Sequence, residues 1–405
     1  MLKEVSAGGG ASRFDFSPFR DRSNTPQGWR EAHAAFWEQY ESPRFEDGAN
    51  VRWQESTGLA PQDSRFTLIV PIHNEQRFLP DALGALMFSD LPSDVNVNIV
   101  LATNACSDRS GAIVDGFMRG VGSVEEVPFD DALRTKLDDK GLDTTFKRAT
   151  VGNITIMHVN TTTPGKANAM NLGNALAIES GHAIAMSVDA NNFLEPEALR
   201  NMFGEAHKTI VDNPDGTAVV TGNDKHVMPP SMAHRIKKII KRNSEGVGVA
   251  GESKLNGWFN AWDTGFVAEI GGIPQVASED YALGVAIRRA GRSFHCASGA
   301  TVWGYEANSV KERISLYARA VRGRLQMLEQ DPSAELETLI REDAEYMRPL
   351  KERVKGLYER AVQNKKRAPF LAIKFLMYER GIQKGRKDFE RDPQNHSWES
   401  VGSTK

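Results

Sequence analysis

The feature that most constrains this chain is an alternation. Phe66-Thr-Leu-Ile-Val-Pro-Ile-His is a short apolar, β-branched run bounded by turn residues, the pattern of a strand buried on both faces. A helical stretch over 78–87 follows, then a second strand in Val95-Asn-Val-Asn-Ile-Val-Leu-Ala, then a helix over 108–119. The same reading predicts a strand over 154–160, an Ala- and Asn-rich helix over 165–180, a strand over 182–188, a helix over 195–207 and a strand over 217–222. Strands separated by helices need crossover connections, and crossovers build parallel sheets with helices on their faces. The expected fold is α/β, with a mostly parallel central sheet flanked by helices.

The rest of the chain is arranged around that core. Residues 1–64 read as an N-terminal extension with a helical stretch over 29–40. Residues 121–148 are charged and weakly periodic, an insertion. The segment 233–256 mixes a basic helix with glycines, 278–290 is helical, Thr301-Val-Trp is a late strand, and helices dominate from 311 onward. The expected division is 1–64, 65–305 and 306–405, since 405 residues suit one large domain with extensions or two domains. With 50 Lys and Arg against 53 Asp and Glu, nothing global points to nucleic acid. Two cysteines, Cys106 and Cys296, make no disulfide framework. The first residues lack the apolar core of a signal peptide and the apolar runs are too short to span a bilayer. A cytoplasmic protein is expected.

Three constellations carry chemistry. Ser187-Val-Asp189-Ala-Asn191 sits at the C-terminal end of an apolar strand, the edge where open α/β sheets bind ligands. Asp189 and Asn191 could hold Mg²⁺ or Mn²⁺, which take oxygen ligands and complete their shell with phosphates. Taken alone, they more often close a turn and cap the next helix. Ser278-Glu279-Asp280 opens a helix, where acids are favoured by the dipole, or where one is a general base. Gly271-Gly272 just before it would let backbone approach a ligand. Pro164-Gly-Lys166-Ala-Asn168-Ala-Met-Asn171 puts a lysine at a helix entrance, suited to a diphosphate or simply solvated.

Their order is more telling than any one of them. Pro71-Ile-His73-Asn-Glu75, Thr103-Asn104 at the second strand's end, Gly-Lys-Ala-Asn-Ala-Met-Asn, Asp-Ala-Asn, Gly-Gly and Glu-Asp together resemble family-2 glycosyltransferases of the GT-A fold, over about residues 66–325. The resemblance implies a nucleotide-diphosphate sugar donor, with uridine ahead of guanosine as its base, and an acceptor the sequence does not name. It implies that Pro71, His73, Glu75 and Asn104 line the nucleotide pocket, with Asn104 in place of the usual acid. Lys166, Asp189 and Arg319 would also meet the donor. Asp189 and Asn191 would hold Mn²⁺ or Mg²⁺, with Glu306 as a further ligand where the family often has His. Asp280 matches the catalytic base of inverting enzymes, with Glu279 beside it. In Leu316-Tyr-Ala-Arg319-Ala320 the tryptophan of processive synthases is replaced by Ala320, which favours a single transfer.

Other readings remain open on the sequence. One is a retaining GT-A enzyme of the glucosyl- or mannosyl-phosphoglycerate synthase type; another is a nucleotide-sugar-binding protein without turnover, favoured by Asn104 and Asn191. A nucleotidyltransferase fits less well, because His73-Asn74-Glu75 is not a Gly-rich basic loop. Finally, Lys365-Lys366-Arg367, Lys374, Arg380, Lys384 and Arg386-Lys387 bracket the apolar run Pro369-Phe-Leu-Ala-Ile-Lys-Phe-Leu-Met-Tyr378. That run packs on the catalytic domain or, with its basic neighbours, attaches peripherally to an anionic membrane.

Overall fold

The computed structural model describes residues 53–54, then 64–227 except 88, 90, 93, 132, 135–140 and 215, then 255, 257–305, 309–343, 347–363 and 368–394. The helix expected over 29–40, the segment 233–254, Glu306 and the Lys365-Lys366-Arg367 run lie outside these residues.

Strands β1 (Trp53–Gln54) and β3 (Leu91–Pro92) pair with each other. The other described strands form one ten-stranded sheet. Its order is β5 (Glu125–Pro128), β6 (Thr145–Val151), β7 (Ile154–Thr161), β4 (Asn96–Asn104), β2 (Arg65–Ile72), β8 (Ile184–Val188), β11 (Phe259–Asp263), β10 (Thr217–Val227), β12 (Ser293–Tyr305) and β9 (Asn192–Leu194). The middle four, β7-β4-β2-β8, are parallel, as the alternation requires. Outside them the expectation of a mostly parallel sheet is corrected: only β10–β12 adds a parallel pair, and the other five pairs are antiparallel. The cause is local on one side. Gly152-Asn153, with Gly152 at φ 60°, is a two-residue hairpin that folds β6 back on β7, so the charged insertion supplies edge strands. On the other side β11 runs between β8 and β10 against both.

Helices cover both faces. Phe66, Leu68, Val70 and Ile72 of β2 point into a core with α1 (Leu79–Met87), α2 (Ser110–Val121) and α4 (Ala198–Ala206). Ile69, between them, faces α3 (Lys166–Glu179), α5 (Thr264–Glu269) and α6 (Glu279–Arg289). This period of two, with both sides apolar, is why the strand reads as one continuous hydrophobic run. Gly173 brings α3 so close that a Cβ there would overlap the Ile69 side chain. The helix is buried nearly all round, and its asparagines are satisfied inside: Asn171 brackets the backbone of Ile273 with bonds of 2.7 and 2.9 Å, and Asn174 accepts from the Trp262 indole at 2.8 Å.

The C-terminal part is helical: α7 (Val310–Gln330), α8 (Ala334–Asp343), α9 (Leu350–Gln363) and α10 (Ala368–Arg391). A reciprocal capping box between Ser309 and Glu312 starts α7. Gly323 lets α7 sit on the backbone just before α6, and Gln326 accepts from the Ala277 N–H at 2.8 Å. Gly381 and Gly385 in turn seat α10 on α7, against Tyr317, Ala318 and Val321. Thus α7 links the start of α6 to the C-terminal helices.

Candidate active site

The C-terminal ends of β2, β4 and β8 meet the N-termini of α3 and α6. Two loops there hold left-handed residues, Asn74 at φ 56° and Ala105 at φ 47°, a conformation non-glycine residues adopt at a cost. The Asn74 side chain fixes it by accepting from the backbone N–H groups of Ser107 and Asp108 at 2.7 and 3.2 Å. His73 Nδ1 lies 2.7 Å from the Asn104 carbonyl, so it carries the proton and donates. The expected nucleobase contact of Asn104 meets a competing use: its amide accepts from Gly165 N–H and donates to Gly165 O, both at 3.0 Å. Asn104 thereby sets the entrance of α3 and the direction of Lys166. Pro71 lies within β2, aligned with Ala102.

Lys166 is the hub. It is 7% exposed, and its ammonium lies 2.6 Å from Asp189 Oδ1, 3.1 Å from Glu279 Oε1 and 2.6 Å from the Gly257 carbonyl. The carbonyl accepts a hydrogen bond, and the two carboxylates hold the ammonium as ion pairs. Residues separated by ninety positions in the sequence are thus held together by one cation. Burial alone would lower the Lys166 pKa, but Asp189, Glu279 and Asp280 outweigh it and raise it, so the lysine stays charged. Burial lifts Asp189 above the usual carboxylate range against the pull of Lys166. Glu279 is lowered: burial opposes ionisation, but Lys166 and Arg319 prevail. Asp280 is raised by burial and by the adjacent Glu279 charge, with Lys166 and Arg319 opposing. Of two neighbouring acids, one stays ionised and holds the lysine, and the other is pushed upward.

Two further carboxyls join this edge. Glu75 is wholly buried. Asn191 donates to its Oε1 at 3.4 Å, while Oε2 has no hydrogen-bond partner. Burial, then the charges of Asp189 and Asp108, push it up to about 8. Asp224 on β10 also has a buried oxygen without a hydrogen bond, and burial followed by Asp189 takes it to about 8 despite Lys166. The sequence reading missed Asp224, because it ended this strand at 222. The strand continues through Val227, level with β12, and its alternation carries Asp224 to the same edge as Asp189. The Gly271-Gly272 turn has another reason than ligand approach. Its φ angles of 80° and 100° fold it against Asn171, where a Cβ on Gly272 would crowd that amide.

Arg319 reaches the cluster from α7, and its charge acts on Asp189, Glu279 and Asp280. It also lines a cleft of about 240 Å³ between α6 and α7, with Asp280 and Ser278 beside it and Arg288 and Arg324 farther along. Among the described residues no three His, Cys, Asp or Glu side chains converge as a metal cage. The donors at the end of β8 are nevertheless oxygens, an Asp189 carboxylate with the Asn191 amide oxygen, and Glu75, which Asn191 bonds through Oε1, keeps its Oε2 without a hydrogen bond. Such a set fits Mg²⁺ or Mn²⁺ completed by water and phosphate.

No family model matches the sequence, and no curated protein matches it. Solved structures with a similar arrangement include a mannosyltransferase from Pyrobaculum calidifontis in complex with GDP-Man and Mn²⁺, 15% identical over 91% of this chain and 95% of that one, with a TM-score of 0.44. TarS from S. aureus is 13% identical over 80% of this chain and 55% of that one, TM-score 0.39. Its 1–349 fragment with UDP-GlcNAc is 12% identical over 81% and 92%, TM-score 0.39. These neighbours are glycosyltransferases. Likeness of this order concerns the arrangement of strands and helices, and function has to rest on the site.

Proposed function

We propose that this protein is a glycosyltransferase of the GT-A fold, similar to family 2, that moves one sugar from a nucleotide-diphosphate donor to an acceptor hydroxyl with inversion. The observation that carries this reading is the Lys166 hub, which joins the strand-end Asp189 to the Glu279-Asp280 pair in one buried cluster. A strand-end acid suits the donor diphosphate, and a raised carboxyl beside an open cleft suits an acceptor.

In this reading His73 and Glu75 border the nucleotide, uridine ahead of guanosine, and Asn104 acts by orienting the entrance of α3. Asp189 and Asn191 would hold Mn²⁺ or Mg²⁺, which when bound neutralises charge on the leaving diphosphate. Lys166 and Arg319 supply fixed positive charge on the same side. The acceptor enters by the cleft between α6 and α7. Asp280 takes the proton of its hydroxyl as the oxygen forms its bond to the anomeric carbon, and the bond from that carbon to the diphosphate oxygen breaks with its electron pair. Glu279 stays ionised and keeps Lys166 in place.

The test is a thermal-shift screen of nucleotide sugars with and without Mn²⁺, followed by release of nucleoside diphosphate in the absence of acceptor. A stabilising nucleotide sugar whose slow hydrolysis is lost in Asp189→Ala supports the reading. No response to any nucleotide sugar ends it, and binding without release in the wild type leaves a binding protein.

A further inference from the structure

Beyond Asp280 the cleft between α6 and α7 leads away from the sheet edge. Asp280, Gly284 and Arg288 recur every fourth residue along α6, and Leu316, Ala320 and Arg324 do the same along α7. From Asp280 to Arg288 is about 12 Å at 1.5 Å per residue. Between them the cleft has little bulk, because Gly284 and Ala320 both line it. Packing does not demand the glycine. A Cβ there would meet only the Leu255 side chain, at an ordinary 3.8 Å. Glycine inside a helix is costly, and what it leaves here is open space between the candidate base and the far end.

That far end is basic. Among the described residues that line the cleft, Asp280 is the one acid, against Arg288, Arg319 and Arg324. The charge of Arg319 bears on Glu279 and Asp280. Arg324 is 9% exposed and held in place: its guanidinium carbon lies 3.8 Å from the centre of the Tyr281 ring, and Nη1 donates to the Ala320 carbonyl at 2.9 Å. Arg288 is exposed, in the last turn of α6, and its Nε donates back to the Gly284 carbonyl at 3.3 Å. Guanidinium groups gathered along one cleft repel one another and draw in an anion. Their planar forks suit the oxygens of a phosphate or a carboxylate. The donor diphosphate does not account for this charge. In the transferase reading it sits at the end of β8, by Asp189 and Lys166, whereas Arg288 is about two turns along a helix that runs outward from that edge.

We propose that the acceptor is an anion: its hydroxyl stands at Asp280, and an oxyanion group, phosphate or carboxylate, is held by Arg288 and Arg324 at the other end of the cleft. The inference rests on the reading of this cleft as the acceptor's entrance, and it adds the class of molecule that is glycosylated. A neutral sugar or alcohol would leave the two arginine charges without compensation from the substrate.

The experiment reads melting midpoints of the full chain, saturated with the nucleoside diphosphate of whichever donor stabilises it, or without nucleotide if none does. The probes are two matched sets: glycerol, glycerol phosphate and glycerate; glucose, glucose-6-phosphate and glucuronate. The phosphate and carboxylate members tell the two oxyanions apart. An anionic member should raise the midpoint more than its neutral parent, and the difference should shrink as salt rises. Arg288→Glu, at an exposed position, should weaken that binding about tenfold or more, the scale of one lost hydrogen bond to a charged group. Arg324→Gln should weaken it as well; because Arg324 packs on Tyr281, its midpoint without ligand is the control for folding. Anionic probes that act no better than their neutral parents overturn the proposal. So does binding equal to wild type in both variants, which would put the anion at the diphosphate edge instead. Failure of the transferase reading would appear separately, as a wild-type midpoint that no nucleotide sugar moves, whatever the anionic probes do.

Discussion

The two ends of the same parallel strands bury polar groups in opposite ways. At the N-terminal end His182 shares a 2.9 Å hydrogen bond with Thr67, its carbonyl accepts from Thr264 at 2.9 Å, and Asn174 accepts from Trp262 at 2.8 Å. Each of these groups has a partner of matching chemistry. At the C-terminal end five carboxyls, Glu75, Asp189, Asp224, Glu279 and Asp280, crowd around Lys166 and Arg319, and oxygens of Glu75 and Asp224 are buried without hydrogen bonds. Satisfied burial specifies a fold, whereas buried acids without partners are held at a cost in stability and are more informative about ligands. The contrast sets the polar residues that hold the fold apart from those proposed to meet ligands.

The strongest test of that contrast is Asp280→Asn. It keeps the shape, so the fold and the nucleotide-sugar thermal shift should persist while turnover falls roughly 10²- to 10⁴-fold. Near-wild-type turnover would remove Asp280 as the base. Lys166→Met should act on both fold and binding. It strands Asp189 and Glu279 without their cation, and breaking a buried pair costs about 3–5 kcal/mol, read from denaturant midpoints. Adding Asp189→Asn should recover part of that loss but none of the donor binding, a coupling a double-mutant cycle measures. At the opposite end, Asn174→Ala leaves the buried Trp262 N–H without its acceptor and should cost about 1–3 kcal/mol. Its donor shift should equal that of wild type. If it abolished donor binding, the division between the two ends would be wrong.

How much of this was legible in the sequence follows the same division. The parallel core strands were visible because each is an apolar run between turn residues, and Lys166, Asp189, Glu279 and Asp280 were visible because strand ends and helix starts mark ligand edges. The antiparallel margins were not read. Gly152-Asn153 is a two-residue hairpin signal hidden in a charged stretch, and Phe259–Asp263 is too short to stand out. Asp224 was lost with the end of its strand. Nor does sequence separate the two uses of an asparagine: Asn104 and Asn191 look alike, yet one clamps Gly165 by both amide atoms and the other bonds Glu75. Partners decide that, and partners come from the fold.

The smallest predicted effect, counted per pH unit, distinguishes the two ends by sign. Asp224 and Glu75 have folded pKa values of about 8, against 3.8 and 4.5 as ordinary carboxyls. Between those values the folded state keeps protons that the unfolded state has released, so their contribution is intact at low pH and is lost as pH rises toward 8. His182 is the reverse. Burial, followed by the Arg65 charge, takes it from 6.5 down to about 4, so the folded state is neutral where the unfolded state is protonated. Its contribution is intact above 6.5 and is lost as pH falls toward 4. Each group can tilt stability by at most about 1.4 kcal/mol per pH unit, less where solvent screens it, as for the partly exposed Asp224. Melting midpoints of Asp224→Asn relative to wild type should therefore climb from pH 5 to pH 8. Those of His182→Gln relative to wild type should climb in the other direction, from pH 6.5 down to pH 4.5. Parallel difference curves would mean that the two ends bury their titratable groups in the same way, and the contrast between them would fall.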